Sequence, residues 1–141
     1  MTNKVDCDIR QALDKVSFQM RRAYSEELRE LTLYVGQDNL LARLWTGDGL
    51  TQMQLAEHLK CEPPTVTNMV KSLEQNGFIY RKKDAVDGRV MRIYLTEAGK
   101  NLQAPVAKKW QYQQEKLLHA ISPDERIVLL DLLKRMEHGL S

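Results

Sequence analysis

The feature that most constrains the fold is a change of hydrophobic period at Asn76-Gly77. Before this point, apolar residues recur every three or four positions, as in helices; after it, they alternate with polar residues, as in strands. The pattern predicts helices over 51–59 and 63–75, joined by a tight turn, and strands over 79–83 and 90–96. A helix, a turn, a second helix and a hairpin in this order predict a winged helix-turn-helix lobe.

Further helices are predicted on both sides of this lobe. An uninterrupted apolar stripe predicts a long helix over 8–31, and a second helix over 37–45 stops at a Gly-Asp-Gly sequence. After the hairpin we predict a helix over 97–120, bent by Pro105, and a last helix that begins at the capping box Ser122-Pro123-Asp124-Glu125. The expected fold is therefore mainly α, with a small β-hairpin wing.

The terminal helices are predicted to form a dimer. Their apolar stripes are too wide for one small lobe to cover, and a two-fold symmetric interface would bury them. The predicted organisation is an N-terminal dimerisation helix in 1–36, the winged helix-turn-helix lobe in 37–96 and C-terminal dimerisation helices in 97–141. Within the lobe, the inner face of the helix over 51–59 is predicted to consist of Met53, Leu55, Ala56 and Leu59.

Composition narrows the class of protein. With 141 residues, 43% of them hydrophobic and 28% charged, the chain has the content of one ordinary globular domain. No run approaches the roughly 20 apolar residues that a membrane span needs, and Met1 to Arg10 carry charges of both signs, unlike a signal peptide. We therefore expect a cytoplasmic protein without a membrane partner.

The positive charge is concentrated in one segment. The net charge of the chain is only +2, but residues 63–95 carry six basic and three acidic side chains, an excess of +3. The rest of the chain carries 15 basic and 16 acidic side chains. A local basic surface of this kind is expected for phosphate binding, so the sequence points to a nucleic acid partner.

The second helix of the motif is predicted to enter the major groove of double-stranded DNA and to read base edges. Its outward side chains are mostly small and polar, and Lys71 is placed to meet a phosphate. Arg89 lies at the wing tip, where a long cation fits a narrow minor groove. The residues predicted to contact DNA are Pro64, Thr65, Thr67, Asn68, Lys71, Arg81, Lys83, Arg89 and Arg92. For Arg81, Lys82 and Lys83, the alternative is protection of an edge strand against aggregation.

Several fragments together resemble the multiple-antibiotic-resistance regulator (MarR) family. They are Leu50-Thr51-Gln52-Met53-Gln54-Leu55-Ala56-Glu57-His58-Leu59, Thr65-Val66-Thr67, Leu73-Glu74-Gln75-Asn76-Gly77-Phe78-Ile79-Tyr80-Arg81, Asp87-Gly88-Arg89 and Leu95-Thr96-Glu97-Ala98-Gly99. The resemblance implies a homodimeric transcriptional regulator, expected to be a repressor, whose recognition helices occupy successive major grooves of a pseudo-palindromic operator. It implies that Asp87 orients Arg89, which adds Asp87 to the predicted site. It also implies that a small, often aromatic ligand or thiol oxidation releases the DNA.

The residues offer candidates for the releasing signal. Met20, Tyr24 and Trp110 are predicted to line a pocket for a small aromatic effector, and the alternative is that they form interface core. Cys7 lies close to the first predicted helix, so a thiol-based redox switch is a second possibility for the releasing signal.

A different function is also open. The winged helix could have lost its DNA affinity and bind another protein instead.

No cofactor, metal or enzymatic activity is expected. His58 and Cys61, which precede Glu62, have a His-x-x-Cys spacing that could supply two metal ligands, but zinc would need two more and no second cluster lies nearby. The sequence contains no glycine-rich phosphate loop and no nucleophile motif. The other histidines, His119 and His138, fall on separate predicted helices.

Overall fold

A computed structural model describes residues 3–141, so the first two residues of the predicted 1–36 segment lie outside the described residues. The helices are α1 (Lys4–Arg29), α2 (Gln37–Thr46), α3 (Gln52–Leu59), α4 (Pro63–Gln75), α5 (Glu97–Asn101), α6 (Gln103–Leu118) and α7 (Pro123–Leu140). The strands are β1 (Ile79–Lys83) and β2 (Met91–Leu95). The predicted mainly α fold with a two-stranded wing is confirmed.

The chain forms two compact units, Met1–Lys109 and Trp110–Ser141. The first unit contains α1 to α5, the wing and the beginning of α6, and the second contains the end of α6 and all of α7. The helix-turn-helix and the wing therefore belong to one unit. The predicted functional division at residues 36 and 96 stays a prediction.

Local hydrogen bonds fix where the helices begin. Asn3 caps α1 with its side chain, so this helix begins four residues before the predicted residue 8. Capping boxes begin α3 and α7, where Thr51 with Gln54 and Ser122 with Glu125 satisfy each other's free N–H groups. The sequence predicted the box at Ser122 in full, but at Thr51 it predicted only the N-cap.

The helix predicted over 97–120 is two helices. The first, α5, ends at Asn101, and α6 begins at Gln103. Pro105 has no N–H to donate to the carbonyl of residue 101, four positions earlier, so the helical hydrogen-bond ladder is interrupted there. The proline itself lies in the first turn of α6, where a missing N–H costs nothing.

The wing is joined to the segment between α2 and α3. The strands β1 and β2 pair in antiparallel register along their whole length, and the predicted second strand over 90–96 was one residue too long at each end. On the other edge of β2, the Ile93 N–H donates to the Leu50 carbonyl at 2.8 Å, and the Gly49 N–H donates to the Ile93 carbonyl at 2.7 Å. The α2–α3 connection (residues 47–51) is thus held against β2.

The core of the first unit lies between α2, α3, α4 and one face of the wing. Its most deeply buried side chains include Leu40, Leu41, Leu44, Leu55, Val66, Val70, Leu73, Ile79 and Ile93. The predicted inner face of α3 is right for Leu55 and Ala56 but wrong for Met53, which is 78% exposed. Positions i and i+2 of a helix point to different sides, so Met53 cannot share the face of Leu55.

Two helices expose many large apolar side chains. On α1 they are Val5, Ile9, Leu13, Val16, Phe18 and Met20, and on α7 they are Ile127, Val128, Leu130, Leu132, Leu133, Met136 and Leu140. Contiguous apolar faces of this kind mark interaction surfaces. In the described range, no helix combines the length and apolar content that crossing a membrane would require.

Candidate nucleic-acid interface

One face of α4 is open to solvent and carries the residues predicted to read DNA. Four apolar side chains anchor the opposite face in the core: Val66, Met69, Val70 and Leu73. The outward side chains are exposed: Pro64, Thr65, Thr67, Asn68, Lys71 and Gln75. The helix begins with two prolines after Glu62, whose side chain makes no capping hydrogen bond. The 3.6-residue period of α4 therefore separates an apolar face from a polar face, as predicted.

The structure adds Gln52 to this surface. The Thr67 hydroxyl lies 3.0 Å from the Pro63 carbonyl oxygen and 3.1 Å from Gln52 Oε1, so it can donate to either acceptor. Gln52 is the first residue of α3, and this contact places its amide beside the polar face of α4. Sequence reasoning missed Gln52 because the two residues are 15 positions apart and meet only through the packing of α3 on α4.

The wing turn is built on two aspartates. Asp84 Oδ2 accepts the N–H groups of Val86 at 3.1 Å and of Asp87 at 2.9 Å. Asp84 Oδ1 accepts Nε of Arg92 at 2.7 Å. These bonds, led by the one from the Asp87 N–H, lower the pKa of the Asp84 carboxyl to about 2. Asp84 is therefore ionised at neutral pH and closes the turn as an Asx turn.

Arg89 projects from this turn. Its side chain is 91% exposed, and Asp87 accepts its backbone N–H and Nε at 3.1 Å and its Nη2 at 3.3 Å. The side-chain hydrogen bonds of Arg89 are the main reason that the pKa of Asp87 is lowered. Asp87 and Arg89 therefore form an ion pair at the tip of the wing. That Asp87 orients Arg89 for DNA stays a prediction.

Arginines and lysines of the basic segment 63–95 are used differently. Each arginine is paired with a carboxylate, in the pairs Arg81–Glu74, Arg89–Asp87 and Arg92–Asp84. The lysines are Lys71, Lys82 and Lys83, and within residues 3–141 none of them has a carboxylate oxygen within 4.0 Å of its Nζ atom. All three lysines are exposed. The excess charge of this segment is therefore carried by lysine ammonium groups that are available to phosphates.

Two of the predicted DNA contacts make other bonds in the structure. Arg81 binds Glu74 on α4 through Nε at 3.2 Å and Nη2 at 2.9 Å. Arg92 is only 35% exposed, and it binds Asp84 and the Gly49 carbonyl, the latter through Nη1 at 2.8 Å. Contact of these guanidinium groups with DNA stays a prediction.

The residues predicted for a ligand pocket lie on two helices. Met20 and Tyr24 lie on α1, and Trp110 lies on α6 in the second unit. The Tyr24 hydroxyl donates to Asp38 Oδ2 at 2.9 Å, and Asp38 is 2% exposed. Burial, followed by the charge of Asp38, raises the pKa of Tyr24, so the phenol is neutral. A shared pocket for the three residues stays a prediction.

The cysteines and histidines are dispersed. Cys7 and Cys61 are free, half-buried thiols, and the Cys61 Sγ atom lies 3.5 Å from the Leu59 carbonyl oxygen. His58 Nε2 lies 3.2 Å from Nη2 of Arg43, and a guanidinium is a poor neighbour for a metal cation. Residues 3–141 contain no group of three or more His, Cys, Asp or Glu side chains that could hold a metal ion.

Together, the open polar face of α4, the exposed lysines and the arginine-tipped wing define a winged helix-turn-helix, DNA-binding transcriptional regulator. Comparison with known proteins identifies the family. The model of the MarR family matches residues 33–91. The crystal structure of the transcriptional regulator SlyA superposes with a TM-score of 0.83 and 32% identity over 94% of both chains. The chain belongs to the MarR family, and the resemblance noted in the sequence is confirmed.

Further relatives are similar over most of their length. The S. aureus MepR–DNA complex superposes with a TM-score of 0.84 and 27% identity, over 92% of this chain and 96% of that one. The uncharacterized HTH-type transcriptional regulator YybA of Bacillus subtilis (strain 168) is 27% identical over 132 residues, which are 94% of this chain and 83% of YybA. The named relatives are transcriptional regulators, not enzymes.

Proposed function

We propose that this protein is a transcriptional repressor that binds a pseudo-palindromic operator as a homodimer and is released by a small ligand. The observation that carries the proposal is the polar face of α4, which is exposed over its length and lies on the same unit as the arginine-tipped wing. The only carboxylate on α4 is that of Glu74, which is engaged by Arg81. DNA phosphates would therefore meet no unpaired carboxylate within α4, and the exposed carboxylate of Glu62 lies directly before its first residue.

In the proposed complex, α4 lies in the major groove, which is wide enough to admit a helix. Thr65, Thr67 and Asn68 hydrogen-bond base edges, and Pro64 packs beside them at the helix start. Lys71 neutralises a phosphate. The S. aureus MepR–DNA complex, which contains a protein of the same fold together with DNA, supports this mode of binding.

The wing contacts the flanking minor groove in this proposal. Arg89 enters the groove, where the negative potential is strongest if the groove is narrow, and Asp87 holds its guanidinium in place. Lys83 lies on β1 and meets a phosphate beside the groove, whereas Arg81 on the same strand meets one only if it leaves Glu74. The guanidinium of Arg92 is bonded within the protein, to Asp84 and to the Gly49 carbonyl.

The dimer is proposed from the exposed apolar faces of α1 and α7. A two-fold interface formed by segments 1–36 and 97–141 would bury these faces, and it would place two copies of α4 symmetrically on the operator. Sedimentation at micromolar concentration tests this point, and a stable folded monomer would contradict it.

Binding to the chromosome requires the protein in the cytoplasm, which is the location we propose.

Release by a small aromatic ligand is proposed at Met20, Tyr24 and Trp110. Tyr24 supports this choice, because its hydroxyl is bonded to the buried Asp38 at the beginning of α2. A ligand that displaced the Tyr24 hydroxyl would break its bond to Asp38 on α2, and α2 packs against α3 of the helix-turn-helix. If peroxide releases DNA from the wild type but not from Cys7→Ser, the redox alternative replaces ligand release.

The deciding experiment is a DNA titration as a function of salt. Operator DNA selected from genomic fragments is titrated by fluorescence anisotropy between about 50 and 400 mM monovalent salt. Each neutralised phosphate contributes a slope of about −0.9 to log affinity against log salt. Lys71→Gln should therefore reduce the slope of the dimer by about 1.8, one phosphate per protomer.

Lys108→Gln is the matched control, since Lys108 is an exposed lysine on α6, outside the 37–96 lobe. It removes the same charge and should leave the slope unchanged, provided that sedimentation shows the variant to be as dimeric as the wild type. Equal slopes for Lys71→Gln and the wild type would contradict the placement of α4 on the DNA. If the wild type binds no DNA at about 50 mM salt, the winged helix is a protein-interaction module instead.

A further inference from the structure

Arg92 bridges two parts of the first unit that are distant in sequence. Its Nε donates to Asp84 in the wing turn at 2.7 Å, and its Nη1 donates to the carbonyl of Gly49 at 2.8 Å, 43 positions away. The side chain is half-buried, at 35% exposure. In contrast, the guanidinium of Arg89 bonds within its own turn and is 91% exposed.

Both ends of this bridge are fixed. At the wing end, the other oxygen of Asp84 holds the N–H groups of the turn that presents Arg89. At the other end, the Gly49 N–H donates to the Ile93 carbonyl at 2.7 Å. Gly49 has a φ of +85°, and an added Cβ would lie 3.2 Å from the ring of Tyr94, so this position of the connection favours glycine.

The α2–α3 connection leads directly into α3, the first helix of the helix-turn-helix. Thr51, which ends the connection, caps α3, and Gln52 contacts Thr67 on α4. The backbone of residues 49–52 therefore connects the contact of Gln52 with α4 to the Gly49 carbonyl, which binds Arg92, and Arg92 in turn binds Asp84 in the wing turn. The charge of Arg92 is balanced by Asp84, so little of its potential is left for a phosphate.

We propose that Arg92 and Asp84 form a strut that fixes the wing against the α2–α3 connection, so that Arg92 positions Arg89 on the DNA without itself contacting DNA. This inference rests on the proposed function. It replaces the sequence-based prediction that Arg92 is a DNA contact, and it makes Arg92 a positioning residue. Only a planar fork of donors can reach both acceptors at once, so lysine cannot replace it.

The first test asks whether removal of the Asp84 charge strengthens or weakens binding to operator DNA. Asp84→Asn keeps an oxygen for the N–H groups of the turn, but it presents an amide donor to Arg92 in place of the carboxylate. If Arg92 contacts DNA directly, loss of the carboxylate frees a cation and tightens binding. If Arg92 is a strut, Asp84→Asn weakens binding although it removes a negative charge. Glu97→Gln, which removes an 85% exposed carboxylate on α5, measures the effect of charge alone.

The second test is a double-mutant cycle with Arg89. Arg92→Lys keeps the charge and loses the fork, so we expect it to weaken operator binding nearly as much as Arg89→Ala does. In the Arg89→Ala background, Arg92→Lys should have no further effect. Affinity equal to the wild type for Arg92→Lys, or losses that multiply in the double variant, would overturn the strut.

Two controls distinguish loss of the strut from loss of folding and from failure of the proposed function. Thermal unfolding of each variant is first followed by circular dichroism. If Arg92→Lys does not fold, Asp84→Asn is used for the test, because asparagine supports the same turn. If the wild type binds no DNA, the proposed function fails, and the strut is judged by NMR of the free protein. Arg92→Lys should then speed amide exchange at Asp87 and shift the Gly49 signal; no change at either position would refute the strut.

Discussion

Substitution of Gly99 tests the packing that joins α5 to the winged helix-turn-helix. A Cβ added to Gly99 would lie 2.0 Å from the Phe78 carbonyl oxygen and 3.2 Å from Cδ2 of Leu95. The Phe78 oxygen cannot retreat freely, because it accepts the N–H of Thr96 at 3.1 Å. The Gly99 carbonyl in turn accepts the indole N–H of Trp45 at 2.9 Å. An alanine at position 99 therefore forces backbone atoms apart.

The sign of the effect depends on opposing contributions. Alanine is a better helix former than glycine by about 1 kcal/mol. Forcing an extra carbon into a packed site costs about 1–3 kcal/mol, and each hydrogen bond that opens costs about 1 kcal/mol more. The cost of packing and of lost hydrogen bonds exceeds the gain in helix propensity, so we expect Gly99→Ala to lower the free energy of unfolding by about 2 kcal/mol. At roughly 4 °C per kcal/mol, the melting temperature should fall by about 8 °C.

Urea unfolding followed by circular dichroism measures this difference. The protomer concentration is held constant, because the stability of a dimer depends on it. Gly139→Ala near the end of α7 is the control, since within the protomer nothing lies within 4 Å of its added Cβ. It should be neutral or stabilising by up to about 1 kcal/mol. If Gly99→Ala is as stable as the wild type, the packing argument is refuted.

Three further predictions concern local structure. Because its pKa is lowered to about 2, Asp84 stabilises the wing turn above about pH 4, and this contribution is lost as pH falls towards 2. The NMR amide shift of Asp87 should therefore be constant from pH 8 to about 4 and change as pH falls through about 2; a change centred near the ordinary Asp pKa of about 4 would contradict this. Thr51→Ala removes the side-chain N-cap of α3 and should cost about 1 kcal/mol in urea unfolding; no change would show that the capping box is dispensable. Leu55→Ala should cost about 2–5 kcal/mol. Met53→Ala should stay within about 0.5 kcal/mol, and equal losses for the two would contradict their opposite exposure.

Features with a local cause could be predicted from the sequence. The bounds of α4 agree with the prediction to the residue, because a proline pair begins the helix and Asn76-Gly77 ends it. Gly77 has a φ of +80°, a conformation that glycine adopts without strain. Pro105 was predicted to bend one helix over 97–120; the structure has two helices that part at Leu102, because a proline removes the hydrogen bond to the residue four positions before it.

Features that depend on tertiary packing could not be predicted. Gln52 belongs to the candidate site only because α3 packs on α4, and no pattern in the sequence indicates that contact. Arg92 lies on the predicted second strand, and Lys82 and Lys83 lie on the first strand beside it. The alternation of polar and apolar residues along a strand does not distinguish a free cation from one that is bound within the protein. The bridge between Leu50 and Ile93 decides this point, because it brings the Gly49 carbonyl within reach of Arg92.

The division between arginine and lysine follows from the chemistry of their head groups. Guanidinium is a planar fork of donors, and each arginine of segment 63–95 is paired with a carboxylate. Arg92 in addition binds the Gly49 carbonyl. Ammonium is a compact point charge on a flexible stem, and Lys71, Lys82 and Lys83 have no carboxylate within 4.0 Å in the described part of the chain. Since the paired charges cancel, the salt dependence of DNA binding should follow the lysines. The arginines set the shape that the DNA must match, so replacing one of them by lysine conserves the charge and loses the geometry.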